Sequence, residues 1–437
     1  TQLVQVSRTA ECKAWMRTKI AELEEELAMR SMKSSMTDLL GLLGSFQFLC
    51  GDLSAARLSY ERAVSLERKA GGTGAGGSKY AAALARVNRQ MEAEESFAAI
   101  RPSLNASCQE PLNLKDIERR DGAQLSYREF LSEYACKGVP VVLTGLFEAG
   151  MFVNGAWGFD KLREDLGSKL IVPRHRVEDS PDWAHLEDSQ QMSLSAFLQQ
   201  VFMDGCGDYV FDWNLPGNAP ELVEELRIPR FFSGDLLQHL PEGSLYREAW
   251  PSLFIGPKGS RSGLHVDAFG SNFWMAMLHG QKEWTIFNRE DVNHLGPSYQ
   301  ISLDPTFSAE TRLAHPQSDC PSRTEALERA RGWRSLLSEG EVLFVPAGSP
   351  HAVNNVTVTL AISANYIDSS NLERALGELQ LIAGEDPRAV SVLEHLKQLG
   401  AERGENETEK PLFTQWSDFK RTQSKRSRND PQEAAAE

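Results

Sequence analysis

The chain has no CxxC pair and no dense cysteine framework: Cys12, Cys50, Cys108, Cys136, Cys206 and Cys320 are scattered along 437 residues. That spacing excludes a disulfide scaffold and predicts reduced thiols. Long apolar runs are also missing. The longest stretches, such as Phe273 to Leu278, fall far short of the ~20 residues that a membrane-spanning helix needs. Positive charge is in deficit, 46 Lys and Arg against 61 Asp and Glu, for a net charge of −15. Such a balance argues against broad adhesion to nucleic acid or anionic membrane through the main body. Thr1-Gln2-Leu3-Val4 lacks a charged lead-in to an apolar core, so no signal peptide is visible, and the first residue is not Met. Asn105-Ala106-Ser107, Asn355-Val356-Thr357 and Asn406-Glu407-Thr408 fit the glycosylation pattern, but without a secretory context they read as chance matches. These absences imply an intracellular protein, nuclear or cytoplasmic. What is present, 41% hydrophobic and 24% charged residues, is the composition of an ordinary globular protein.

Residues 1–100 read as a helical region. Ala10 to Arg30 is rich in Ala, Glu, Leu, Lys and Met and free of Gly and Pro. Leu40, Leu43, Gly44, Gly51, Ala56, Tyr60 and Ala63 sit at the offsets of one tetratricopeptide-like hairpin, about 37–69. An ordinary helical hairpin and a peptide-binding repeat surface both fit this pattern. Gly71 to Ser78 reads as a flexible linker, helix resumes over Tyr80 to Ala99, and Arg101-Pro102-Ser103 marks a boundary. From about 112 to 370 the texture changes to short strands. They are predicted over Val139–Leu143, Tyr209–Phe211, Leu253–Ile255, Phe273–Leu278, Glu283–Phe287, Val342–Val345 and Thr357–Ile362. Such spacing suggests a sandwich or barrel, decorated by helices at Ser193–Phe202 and Ala219–Glu225. Helix returns over 371–399, and 400–437 reads as a polar, disordered tail with a basic cluster from Lys420 to Arg428.

His265-Val266-Asp267 places an imidazole and a carboxylate on the same face of a strand, because side chains alternate with a period of two. The pattern is weak alone. Its sequel strengthens it: Gly340 to Val345 reads as a strand running into Pro346-Ala347-Gly348-Ser349-Pro350, which presents His351. Two histidines and one carboxylate with open coordination positions form the facial triad that suits non-haem Fe(II), whereas zinc favours four ligands or thiolates. Lys282 shares a strand face with Trp284 and Ile286, and a lysine aimed into an apolar interior requires an anionic partner. The alternative is that Lys282 lies at a strand end, after the tight turn His279-Gly280-Gln281, and snorkels to water. Ser262, Ser363 and Asn365 add hydroxyl and amide groups on the neighbouring segments.

From Ile117 to about Asp368 the chain resembles the JmjC dioxygenases, and among them the protein-lysyl hydroxylase and arginine demethylase group. The resemblance rests on Ile117-Glu118-Arg119-Arg120-Asp121, Tyr209-Val210-Phe211-Asp212, Ile228-Pro229-Arg230-Phe231-Phe232, Gly256-Pro257 and Ser260 to Asp267. It implies an α+β protein whose core is a double-stranded β-helix, the cupin-like jelly roll, preceded by the helical region. It implies His265, Asp267 and His351 as iron ligands. Lys282, Tyr209 and Ser262 would hold the distal carboxylate of 2-oxoglutarate, with Ser363 and Asn365 near its other end. Fe(II), 2-oxoglutarate and O2 are the implied cofactors. Met275 stands where this group has an asparagine, and Ser252 and Pro350 where it has tryptophans lining the substrate approach. Loss of those aromatic faces predicts a weaker preference for cationic side chains.

The leading expectation is hydroxylation of a protein side chain, foremost lysine. N-methyl demethylation of histone or other protein side chains uses the same machinery, and a silent JmjC binding module is a third alternative. A small-molecule oxygenase or isomerase is a fourth. The helical hairpin favours a protein or peptide partner.

Overall fold

The computed structural model describes residues 10–29, 33–70, 77–99, 114–177, 186–203, 205–307, 327, 329–402 and 410–418. Most of the glycine-rich linker, the Arg101-Pro102-Ser103 break, the Asn105 and Asn406 sequons and the Lys420–Arg428 cluster lie outside them. The chain divides into two compact units, each assembled from separate stretches. One comprises Thr1–Leu112, Glu290–Ala330 and Leu376–Leu393, the other Asn113–Arg289, Arg331–Ala375 and Glu394–Glu437.

The first unit is built on helices α1 (Ala10–Met29), α2 (Lys33–Cys50), α3 (Leu53–Lys69) and α4 (Ala81–Ala99). Gly51 turns the chain at φ 85°, and the Asp52 side chain caps α3 by accepting from the Ala55 N–H at 3.1 Å. The hairpin closes tightly because Gly44 faces Tyr60: a Cβ there would lie 3.0 Å from the ring. Phe48, Ala56, Tyr60, Ala83 and Val87 form its core. No helix among the described residues is long and apolar enough to cross a membrane.

The second unit holds the sheets. Its strands are β1 (Arg119–Asp121), β2 (Val141–Thr144), β3 (Arg174–Arg176), β4 (Leu186–Asp188), β5 (Asp208–Asn214), β6 (Ser252–Gly256) and β7 (Arg261–His265). They continue with β8 (Asn272–His279), β9 (Gln281–Phe287), β10 (Gly332–Ser338), β11 (Val342–Val345), β12 (His351–Asn355) and β13 (Thr359–Tyr366). A nine-stranded sheet runs β1-β2-β11-β8-β13-β6-β5-β3-β4, and a four-stranded sheet runs β7-β12-β9-β10. From β6 to β9 the chain changes sheet at every step, and it does so again from β10 to β13. This alternation between two sheets is the jelly-roll architecture of a cupin-like domain.

The large sheet is apolar on both faces, so its central strands read as continuous hydrophobic runs rather than alternating ones. Phe273, Met275 and Met277 of β8 face the small sheet, where they meet Trp284, Ile286 and Leu337. Trp274, Ala276 and Leu278 point the other way, into a core shared with Tyr127, Phe130, Leu162, Phe197 and Phe232. Full burial of each large side chain contributes on the order of 1.5–3 kcal/mol.

The tight turn His279-Gly280-Gln281 joins two sheets: β8 and β9 lie in different ones, and Gly280 is the corner between them. Its φ is 80°, and a Cβ would sit 2.1 Å from the Val358 carbonyl, so glycine is required there. The predicted helix at Ala219–Glu225 is only the short Pro220–Val223. The tail is ordered at Phe413–Gln415, which pairs antiparallel with Arg227–Pro229. Leu412, Phe413 and Trp416 pack on the core with Phe231 and Phe232, apolar contacts that a reading of average polarity passed over.

Candidate metal and cosubstrate site

The small sheet carries most of the candidate groups. In β7 and β12, His265 lies opposite His351, and β12 in turn pairs with β9 so that His351 faces Ile286 and Asn355 faces Lys282. Strand alternation puts His351 and Asn355 on one face of β12, and Lys282 and Ile286 on one face of β9. Imidazole and ammonium groups therefore share the inner surface, four residues or roughly 13 Å apart along the strands at ~3.3 Å per residue.

β7 ends at His265, yet Asp267 keeps an extended backbone, with φ −65° and ψ 143°. Its side chain therefore returns to the same side as His265. Asp267 Oδ1 lies 3.9 Å from His265 Nε2 and 4.0 Å from His351 Nε2. The three donor atoms fall within 4.8 Å of one another. Each imidazole is oriented from behind: His265 Nδ1 is 2.7 Å from the Gly263 carbonyl, and His351 Nδ1 is 3.0 Å from the Ser349 carbonyl. A carbonyl can only accept, so both Nδ1 atoms carry the proton and both Nε2 lone pairs face Asp267. Burial, reinforced by the neighbouring imidazole of His351, holds His265 well below its ordinary pKa and keeps it neutral, as a ligand must be. Burial raises the Asp267 carboxyl, opposed by the neighbouring imidazole of His351. A cation at the shared point would relieve that desolvation. Among the described residues the cysteines Cys12, Cys50, Cys136 and Cys206 are not part of the group. The donor set therefore fits a non-haem iron centre with open positions.

Lys282 is fully buried, which overturns the snorkelling alternative. Its Nζ donates to Asn355 Oδ1 at 2.6 Å and to Tyr209 Oη at 3.0 Å. Burial depresses its pKa to about 7. Both partners are neutral, and no carboxylate ion-pairs with Lys282 among the described residues. A buried ammonium without a counter-charge is suited to an anionic ligand, such as one end of a dicarboxylate. Ser262 is buried on β7, three residues before His265. Ser363 is buried on β13, paired with Met275 on one side and Ser252 on the other. Asn365 lies near the Asp267 carboxylate, helping to hold its pKa down, and donates from Nδ2 to Ser271 Oγ at 2.9 Å. Met275 sits in the apolar layer with Phe273 and Trp284.

Asn355 was not anticipated from the sequence, although its four-residue offset from His351 on one strand was a usable signal. Its Nδ2 donates to Ser260 Oγ at 2.6 Å, locking the amide so that its oxygen faces Lys282. Asp212 was quoted only as part of a resemblance, yet it lies close enough to Asp267 to raise the latter's carboxyl pKa.

Comparison with known proteins agrees with this geometry. The chain is 26% identical over 264 residues to lysine-specific demethylase JMJ21 of Arabidopsis thaliana, covering 59% of this chain and 26% of that protein. It is 25% identical over 276 residues to bifunctional arginine demethylase and lysyl-hydroxylase psr-1 of Caenorhabditis briggsae, covering 60% and 64%. A third relative, 2-oxoglutarate and iron-dependent oxygenase JMJD4 of Gallus gallus, is 25% identical over 265 residues, covering 56% and 59%. The matched span is thus less than two thirds of each relative's length. The family of cupin-like domains matches residues 127–371, more than half of the chain and all of the candidate ligands. The chain belongs to the cupin-like domain family, in its JmjC group.

Proposed function

We propose that the protein is an Fe(II)- and 2-oxoglutarate-dependent oxygenase that hydroxylates a protein side chain, foremost lysine. The observation that carries this reading is the convergence of His265, Asp267 and His351 on an inner face that also buries Lys282. In this reading His265, Asp267 and His351 hold the metal. Lys282, with Tyr209 and Ser262, binds the distal carboxylate of 2-oxoglutarate, while Asn355 aims Lys282. Ser363 and Asn365 flank the metal end. When bound, iron and 2-oxoglutarate supply the oxidation of a C–H bond by O2, with the cosubstrate leaving as succinate and CO2. The protein's part is to fix both groups at one end of a barrel whose walls, Phe273, Trp284, Met275 and Leu343, exclude water. The test is succinate release from 2-oxoglutarate under Fe(II), with a peptide library present and absent. Release stimulated by peptides, with a mass gain of one oxygen, supports the reading; no release under any condition sinks it.

The names of JMJ21 and psr-1 favour a second reading, removal of an N-methyl group, in which the oxidised carbon leaves as formaldehyde. Paired methylated and unmethylated peptides separate the two by formaldehyde release. We read the α2–α3 hairpin as a tetratricopeptide-like surface for a protein partner. A pulldown with residues 10–99 deleted tests it: undiminished partner capture would reject that role.

A further inference from the structure

Among the described residues, the non-glycine positions with φ in the left-handed region are Asp212 at 54°, Tyr246 at 73° and Phe269 at 45°. They come from three distant stretches of chain, and for bulky side chains this conformation is costly. All three meet in one place. Asp212 lies near Ser252 and Trp250, while the Ser252 hydroxyl donates to the Ala249 carbonyl at 3.4 Å. Trp250 lies nearly parallel to Tyr246, with centroids 6.1 Å apart and planes at 14°. Tyr246 in turn packs on Phe269 at 4.3 Å. Phe269 follows Asp267 by two residues, and the Asp212 carboxylate exerts its charge on Asp267. Backbone strain is thus concentrated in a single wall beside the metal triad.

The way Asp212 is delivered supports a ligand role. On β5, Val210 faces Ile255 but Trp213 faces Leu253, so Phe211 and Asp212 together oppose the one residue Phe254. This bulge turns the Asp212 side chain out of the alternating pattern, a device found beside active sites. Asp212 is exposed, and Tyr246 and Trp250 are partly so, whereas Phe269 and Ser252 behind them are buried. Asp212 is not one of the three clustered donors, so its charge is not used on the metal. Arg174 exerts an attractive charge on Asp212 but is itself engaged by Asp188 at 3.3 Å.

We propose that Asp212, Trp250 and Tyr246, with Phe269 packed behind them, form a receptor for a cationic side chain, ammonium or guanidinium, of the protein substrate, placing its neighbouring carbon before the triad. The inference rests on the oxygenase reading above and names the residues that would select its substrate. An anionic group with aromatic faces around it matches both features of such a cation, its charge and its attraction to π-electrons. The aromatic faces missing at Ser252 and Pro350 are thereby supplied from another segment.

The test uses the full chain loaded with Mn(II) and 2-oxoglutarate without O2, so that binding is read without turnover. Peptides on a constant Gly-Ser-Ala background carry lysine, arginine, norleucine, glutamine or glutamate at the centre. Wild type is expected to retain lysine or arginine peptides at least tenfold better than norleucine, and the ratio of the two cations identifies the preferred head group. Asp212→Asn keeps a side chain that tolerates the left-handed backbone and removes only charge, so its preference should collapse toward parity. Trp250→Leu should lower retention of the cations severalfold. Equal retention of all peptides by wild type, or an undiminished cation preference in Asp212→Asn, overturns the proposal. Succinate release in air keeps the two readings apart: oxidation of peptides with neutral centres preserves the oxygenase and rejects the receptor. Cation-selective capture without succinate release does the reverse.

Discussion

Lys282 Nζ and Asn355 Oδ1 lie 2.6 Å apart across two hydrogen-bonded strands, and Asn355 is locked from its other side by Ser260. The pair explains how an amine can be fully buried without a carboxylate beside it. Lone-pair density from an amide oxygen and a phenol oxygen replaces some of the lost water but none of the lost charge. The arrangement leaves the lysine aimed and electrically incomplete, which is the state an anion-binding site requires.

Removing this charge should therefore uncouple binding from folding. Lys282→Met keeps the volume and deletes the buried amine. Affinity for 2-oxoglutarate should fall by about 10- to 100-fold, the equivalent of ~1.5–3 kcal/mol for a charge-assisted hydrogen bond. Thermal stability should be equal or higher, because an uncompensated buried ammonium is lost. Calorimetric titration and thermal melts measure the two effects; an unchanged affinity would place the cosubstrate elsewhere.

The depressed pKa of Lys282, about 7, sets a pH window. Below it the amine is already charged in the folded protein. Above it, binding of the dicarboxylate must take up a proton, so the apparent Kd should rise up to tenfold per pH unit. Stability should move oppositely. Between about 7 and the unfolded value near 10.4 the unfolded chain holds the extra proton, so this group's contribution to stability rises with pH, by about 1.4 kcal/mol per unit. Calorimetry in buffers of different ionisation enthalpy should detect the proton uptake in wild type and not in Lys282→Met.

Asn355→Asp gives a sharper contrast. A carboxylate at this position would pair with Lys282 internally and compete with the incoming anion. Binding of 2-oxoglutarate should weaken by about tenfold or more, and the lysine pKa should rise because an opposite charge now faces it. An affinity equal to wild type would show that Asn355 does not govern the lysine.

Asp267→Ala removes one of three clustered donors. Metal affinity should drop by more than about 100-fold, beyond what loss of an outer hydrogen-bonding partner costs, with succinate formation lost. The fold should persist, because the site is framed by strand pairing rather than by the carboxylate. Metal content by atomic spectroscopy and far-ultraviolet circular dichroism check both halves of the expectation.

In the helical unit, Gly44→Val should destabilise the hairpin by about 1–3 kcal/mol through overpacking against Tyr60. Limited proteolysis between α2 and α3 should accelerate in proportion.

Much of the site was legible before folding was considered. His265, Asp267 and His351 could be chosen because strand periodicity and turn chemistry are local rules, and Lys282 stood out because a charge on an apolar strand face violates one. The helices over Ala10–Met29, Lys33–Cys50 and Ala81–Ala99 likewise follow from composition and spacing. Other features depend on which strands meet. The turn at Gly280 carries the chain from one sheet to the other because β8 and β9 belong to different sheets, and no short-range pattern encodes sheet membership. Asn355 matters because register sets it opposite Lys282, and a shift of one residue would turn it to the other face. Phe413–Gln415 is ordered because its neighbours find an apolar core far away in sequence. The wall of Asp212, Trp250, Tyr246 and Phe269 exists only in three dimensions, since its members span more than fifty positions and three of them adopt conformations that their own residue types disfavour. Local chemistry chose the reactive groups; long-range packing supplied the energy that holds their partners in place.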